Sequence, residues 1–125
     1  MAALAHESAR HIRYGRPASV LLIELDGGLS GAALDRVARK LAELIRAEAR
    51  ETDRAVRVGV ASFRMLLPET SARSARHVVA RLDRAFYLWR ADQPEPAELR
   101  TEIVAPVRGG SLDDALAEAE RRRGP

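Results

Sequence analysis

Two carboxylates and one Arg–Asp pair are the side chains of this sequence best spaced to do chemistry. Glu24 and Asp26 flank Leu25 at the end of an apolar run, and carboxylates converging on one corner are hard oxygen ligands for a divalent cation. The end of a strand often carries two such residues without any metal. Arg50 stands three residues before Asp53. A guanidinium donates two parallel hydrogen bonds to a phosphate or a planar acceptor, while a neighbouring carboxylate accepts from N–H donors. A surface ion pair of little energetic value is the plainer alternative, and with 20 Arg and 7 Asp in 125 residues an R-x-x-D tetrapeptide arises from composition alone. Gly27-Gly28-Leu29-Ser30-Gly31 forms a glycine-rich turn ahead of a helical pattern. Its amides can face an anion, but a turn this short is read first as a plain tight connection.

Composition removes other chemistries. There is no cysteine, so thiol nucleophiles, thiolate zinc sites and disulfides are excluded. Lys40 is the only lysine, which leaves no catalytic-lysine candidate. His6, His11 and His77 are too scattered to share a metal, and Ser19, Ser62 and Ser111 lack a neighbouring His and carboxylate. The net charge of +3 is modest and acidic residues are interleaved almost throughout, so nucleic acid is not the expected partner. The run Ala18 to Leu25 is too short to cross a bilayer, and Met1 to Arg10 lacks the apolar stretch of a secretion signal. A cytoplasmic protein without a membrane contact is expected.

The elements that must position these residues follow from periodicity. At 125 residues the chain is expected to form a single domain over 1–125. A short helical lead-in ends near Pro17, and Ala18 to Leu25 is a continuous apolar run, as in a strand covered on both faces. Ser30 is placed to cap a helix carrying Leu34, Val37, Ala38, Leu41, Leu44 and Ile45 on one side and ending near Arg50. Ala55 to Val60 and Ser62 to Leu67 read as a hairpin terminated by Pro68. A second helix starts at Thr70 or Ser71. It sets Ala75, Val78, Val79, Leu82, Phe86 and Trp89 against a solvated face of Arg73, Arg76, Arg81 and Arg84, leaving Tyr87 and Leu88 for the rim or an interface. Leu99 to Val107 is a fourth strand, and Ser111 with Asp114 caps a last helix through Leu112, Ala115, Leu116 and Ala119. This order predicts an α+β fold of the ferredoxin-like, nucleotide-cyclase-like sandwich type: a central antiparallel sheet with flanking helices.

The stretch Arg50 to Thr70 resembles the GGDEF domain of diguanylate cyclases, whose pattern is R-x-x-D-x-x-x-R-x-G-G-(D/E)-E-F, an apolar strand, and Pro-x-Thr. Arg50, Asp53, Arg57, Gly59, Phe63, Pro68 and Thr70 match without a gap. Arg13, Gly15 and Pro17 are similar to the family's lead into its first strand, and Glu24-Leu25-Asp26 to its D-x-D metal corner. Leu34, Val37, Ala38 and Leu41 resemble its L-x-x-V-A-x-x-L helix. Thr101 to Val107 is similar to its penultimate strand, and Leu112 to Ala119 to its L-x-x-A-x-x-A helix. The resemblance implies a GGDEF-type hairpin and an inhibitory site at Arg50 and Asp53, with Arg57 beside it, that grips the guanine and phosphate of cyclic di-GMP.

The departures are equally specific. The five motif positions are Gly59, Val60, Ala61, Ser62 and Phe63, without a carboxylate, and Glu24 and Asp26 would be a vestigial corner holding no metal. Leu34 follows Glu24 by only ten positions, where the family has about twenty that include its substrate-binding segment. The expectation is a degenerate, catalytically inactive domain, not an enzyme and without a cofactor. It would act as a regulatory module through cyclic di-GMP, a homodimer or a partner signalling protein, since a chain of this length leaves no output domain. The alternatives are a residual metal-dependent nucleotide cyclase or hydrolase at Glu24 and Asp26, and a basic nucleic-acid binder using the arginines of the second helix.

Overall fold

The computed structural model describes residues 17–94, 96–106 and 112–123. The helical lead-in before Pro17 and the Ser111 cap lie outside the described residues. The central strand is β1 (Ala18–Asp26), buried along nearly its whole length. Successive side chains of a strand point to opposite faces. Leu21, Ile23 and Leu25 therefore enter one core, with α1 (Gly31–Glu48) and α2 (Ala72–Arg90), while Val20 and Leu22 enter another beneath α3 (Leu112–Arg123). The larger core sets Val37, Leu41 and Ile45 of α1 and Leu82 and Phe86 of α2 against the sheet. The smaller one sets Leu112, Leu116 and Ala119 against Leu66 and Val104. A continuous apolar run is what a strand needs when both of its faces are covered.

The sheet has the order β2-β3-β1-β4, with β2 at Arg54–Arg57, β3 at Ser62–Pro68 and β4 at Glu98–Val104, and all neighbours are antiparallel. Arg57 pairs directly with Phe63, as the hairpin requires. The expected α+β sandwich is present. Its first hairpin strand is shorter than the run Ala55 to Val60, because the Val58 N–H already donates to the Ser62 carbonyl at 2.9 Å and the chain turns over Gly59, Val60 and Ala61. The fourth strand stops at Val104, two residues before Pro106, a residue that cannot donate to a ladder.

Two helix starts differ in how they are capped. Ser30 has the extended backbone of a cap, yet its side chain makes no capping hydrogen bond, contrary to the sequence expectation; α1 is entered instead through Gly31 at φ +58°. Ser71 does cap α2, its Oγ accepting from the Ser74 N–H at 3.1 Å. Ser71→Ala is therefore expected to cost about 1 kcal/mol, read as a lower midpoint in thermal unfolding. Ser30→Ala is expected to change it little.

Candidate functional site

The Arg50–Asp53 corner is built where α1 ends and β2 begins. The helix stops at Glu48 rather than near Arg50 because the Arg50 N–H is taken by the Asp53 carboxylate, Oδ2 at 2.7 Å, while the Asp53 N–H closes the turn on the Arg50 carbonyl at 3.0 Å. The Arg50 side chain then folds back over this turn. Its Nη2 donates to Asp53 Oδ1 at 3.1 Å, to the Pro68 carbonyl at 3.0 Å and to Thr70 Oγ1 at 2.7 Å. The Thr70 hydroxyl donates onward to the Pro68 carbonyl at 3.0 Å, and the Thr70 carbonyl accepts from the buried Ser19 hydroxyl at 2.8 Å. One guanidinium thus ties the α1–β2 turn to the end of β3. Between Pro68 and Thr70, Glu69 sits at φ +55°, a strained backbone for a residue with a side chain.

The two partners are unequally placed. The Asp53 side chain is 2% exposed and that of Arg50 is 57% exposed. A ligand reaching this corner meets the guanidinium; the carboxylate lies under it, where its acceptors are occupied by Arg50. The sequence sets the two residues three positions apart and does not reveal that division of labour. Sequence reading also missed Ser19 and Thr70 as supports. The Pro-x-Thr signal was there for Thr70, whereas a serine inside an apolar strand gives none.

Arg57 is not brought to Arg50. Its guanidinium folds onto the hairpin turn, donating from Nε to the Gly59 carbonyl at 3.1 Å and from Nη2 to the Val60 carbonyl, and lies 5.8 Å from the Phe63 ring centroid. It closes the turn that Gly59, Val60, Ala61, Ser62 and Phe63 make. In that turn Phe63 is buried, Val60 is exposed, and the Ala61 carbonyl accepts from the Leu25 N–H at 2.8 Å.

At the β1 corner, Asp26 accepts from the Gly27 N–H at 2.9 Å and pairs with Arg100 across the strands at 3.4 Å. Glu24 is half-buried and faces Ser62, beside a small cavity of about 170 Å³ that Val58, Arg64 and Glu120 also line. Among the described residues no three His, Asp or Glu side chains converge as metal ligands. Glu24 and Asp26 alone do not supply the oxygen set that two-cation chemistry uses. The chain passes from Asp26 to Gly31 directly through Gly27–Ser30. On α2, Arg73, Arg76, Arg81 and Arg84 are exposed, with Arg81 paired to Glu48 at 2.8 Å; His77, Tyr87 and Leu88 are also exposed. No described helix is long and apolar enough to cross a membrane.

No protein-family model and no curated protein sequence matches the chain. Solved structures do. The active GGEEF domain of a diguanylate cyclase from Vibrio cholerae superimposes with a TM-score of 0.74 at 22% identity, over 97% of this chain and 87% of that one. The chain has the GGDEF fold. The GGDEF domain of DgcB from Caulobacter crescentus, in complex with c-di-GMP, matches with a TM-score of 0.78 at 17% identity, over 98% of this chain and 82% of that one. Diguanylate cyclase SiaD from Pseudomonas aeruginosa, in complex with its activator SiaC, matches with 0.72 at 22% identity, over 97% of this chain and 53% of that one. These matches correct one expectation. The chain was expected not to be an enzyme, and its GGDEF fold is one on which an active diguanylate cyclase is built, so the losses in the hairpin motif do not carry that conclusion.

Proposed function

We propose that this GGDEF-fold domain is a regulatory binding module that takes cyclic di-GMP on the Arg50 guanidinium and acts through association with a second copy or a partner signalling protein. The observation that carries the reading is the preset guanidinium: three acceptors fix Arg50 in place while most of its side chain stays open to solvent. A cation ordered in advance loses little rotamer freedom when it grips a phosphate or a guanine edge. Asp53 and Thr70 serve by holding Arg50, and Arg57 by holding the hairpin. The c-di-GMP complex of DgcB and the activator complex of SiaD, on the same fold, support ligand and partner in general terms.

Calorimetric titration with cyclic di-GMP tests the reading. The domain is expected to bind, and Arg50→Ala to weaken binding roughly thirtyfold, the equivalent of about 2 kcal/mol for lost charge-assisted hydrogen bonds. Equal affinity in the variant would remove Arg50 from the site. Incubating the same samples with GTP and magnesium, and measuring product, tells separately whether the domain turns over nucleotide.

A further inference from the structure

We infer that the outer edge of β2 receives an extended acidic segment of a partner protein as an added antiparallel strand. This names the partner chemistry of the association proposed above and rests on that half of the reading, independently of cyclic di-GMP. β2 ends the sheet, and all four of its residues are exposed. Its phase is fixed by the hydrogen bond from Val58 N–H to the Ser62 carbonyl. Bonded and non-bonded residues alternate along an antiparallel strand, so the N–H and C=O groups of Ala55 and Arg57 face outward. An edge of this kind is a template for another strand.

Charge decides what that strand is. From Arg54 to Pro68 the chain holds Arg54, Arg57 and Arg64 and no acidic residue. Arg54 donates to the carbonyls of Glu51 and Asp53 at 3.1 and 3.0 Å, and Arg57 to those of Gly59 and Val60. Each guanidinium is thereby fixed at one end of the edge, and among the described residues neither pairs with a carboxylate. A second copy pairing with this edge about a two-fold axis through Val56 sets Arg57 against Ala55 and Arg54 against Val58, and so brings no carboxylate to either guanidinium. The two charges favour carboxylates opposite them, which a strand of different sequence supplies. Val56, Val58 and Val60 recur at alternate positions and are 44%, 45% and 73% exposed, so the added strand carries apolar side chains on the matching face. Read antiparallel from Val58 to Arg54, the complementary order is apolar, acidic, apolar, small, acidic.

The blocked hexapeptide Thr-Val-Glu-Val-Thr-Glu is the probe, titrated into the full chain and followed by amide NMR. Shifts and slowed hydrogen exchange are expected at Ala55 and Arg57. Replacing both glutamates of the peptide with lysine is expected to weaken binding about tenfold or more, and N-methylation of its two edge-facing amides to abolish it. Arg57→Glu is expected to reverse the preference between the two peptides. No change at millimolar peptide, equal binding of the lysine form, or shifts confined to Arg73, Arg76 and Arg84 on α2 would overturn the inference. So would concentration-dependent self-association that protects Ala55 and Arg57 without peptide. Cyclic di-GMP binding that persists when the peptide fails would leave the Arg50 reading standing alone.

Discussion

Gly27→Ala is expected to destabilise the domain by about 3 kcal/mol, the sum of a forbidden backbone and a backbone clash. Gly27 stands at φ +123°, where a residue with a Cβ is strained whatever the space around it, and a Cβ built there lies 2.6 Å from the Pro96 carbonyl oxygen and 3.2 Å from the Ala97 Cα. Neither atom belongs to a side chain that can swing away. The neighbouring Gly28 provides the comparison: its φ is +73° and nothing lies within 4 Å of its Cβ position. Gly28→Ala therefore meets only the left-handed penalty, about 1 kcal/mol. Urea unfolding of both variants reads the difference, and equal losses would mean that the β1–α1 turn is not seated against Pro96 and Ala97. The turn matters to the site because it fixes the end of β1, where Asp26 holds the Gly27 N–H and Arg100.

Asp53→Ala is expected to cost about 2–3 kcal/mol, because it removes a buried carboxylate that accepts from both the backbone N–H and the guanidinium of Arg50. The Arg50 N–H loses its acceptor and the guanidinium loses the anchor that pulls it over the turn. The second consequence is functional. With Asp53 removed, Arg50 keeps its charge and loses its ordering, so cyclic di-GMP affinity is expected to fall by less than in Arg50→Ala while stability falls by more. Chemical denaturation and calorimetry on the two variants give the comparison. The opposite ranking would mean that Asp53 touches the ligand itself.

What the sequence made legible follows from where one physical effect dominates. β1 could be read because eight nearly apolar residues have no solvent-facing alternative, and α2 because Ala75, Leu82 and Phe86 share a single face. The pairing of Arg57 with Phe63 followed from the short connection between two β-type runs. The end of α1 was not legible, because it depends on the Arg50 N–H choosing the Asp53 carboxylate over a further helical turn. The burial of Asp53 was equally hidden: it lies under the Arg50 side chain, whose guanidinium is held by Pro68 and Thr70 from the far end of β3. Ser30 met the residue preference of a cap, and a glycine with positive φ at the next position took the chain into the helix without its hydroxyl. The non-enzyme expectation rested on Ala61 and Ser62 standing where carboxylates were sought and on the short connection from Glu24 to Leu34, and the match to an active diguanylate cyclase of the same fold runs against it.

The central claim is that Arg50, preset by Asp53 and Thr70, is the group on which cyclic di-GMP lands. The most direct test records the Arg50 side-chain Nε–H resonance and the backbone amides of the full chain as cyclic di-GMP is added. The account predicts a saturable shift of that resonance together with the amides of Arg50, Asp53 and Thr70, absent in Arg50→Ala. Shifts confined to the hairpin turn and the Glu24 corner, with the Arg50 resonance unmoved, would contradict it.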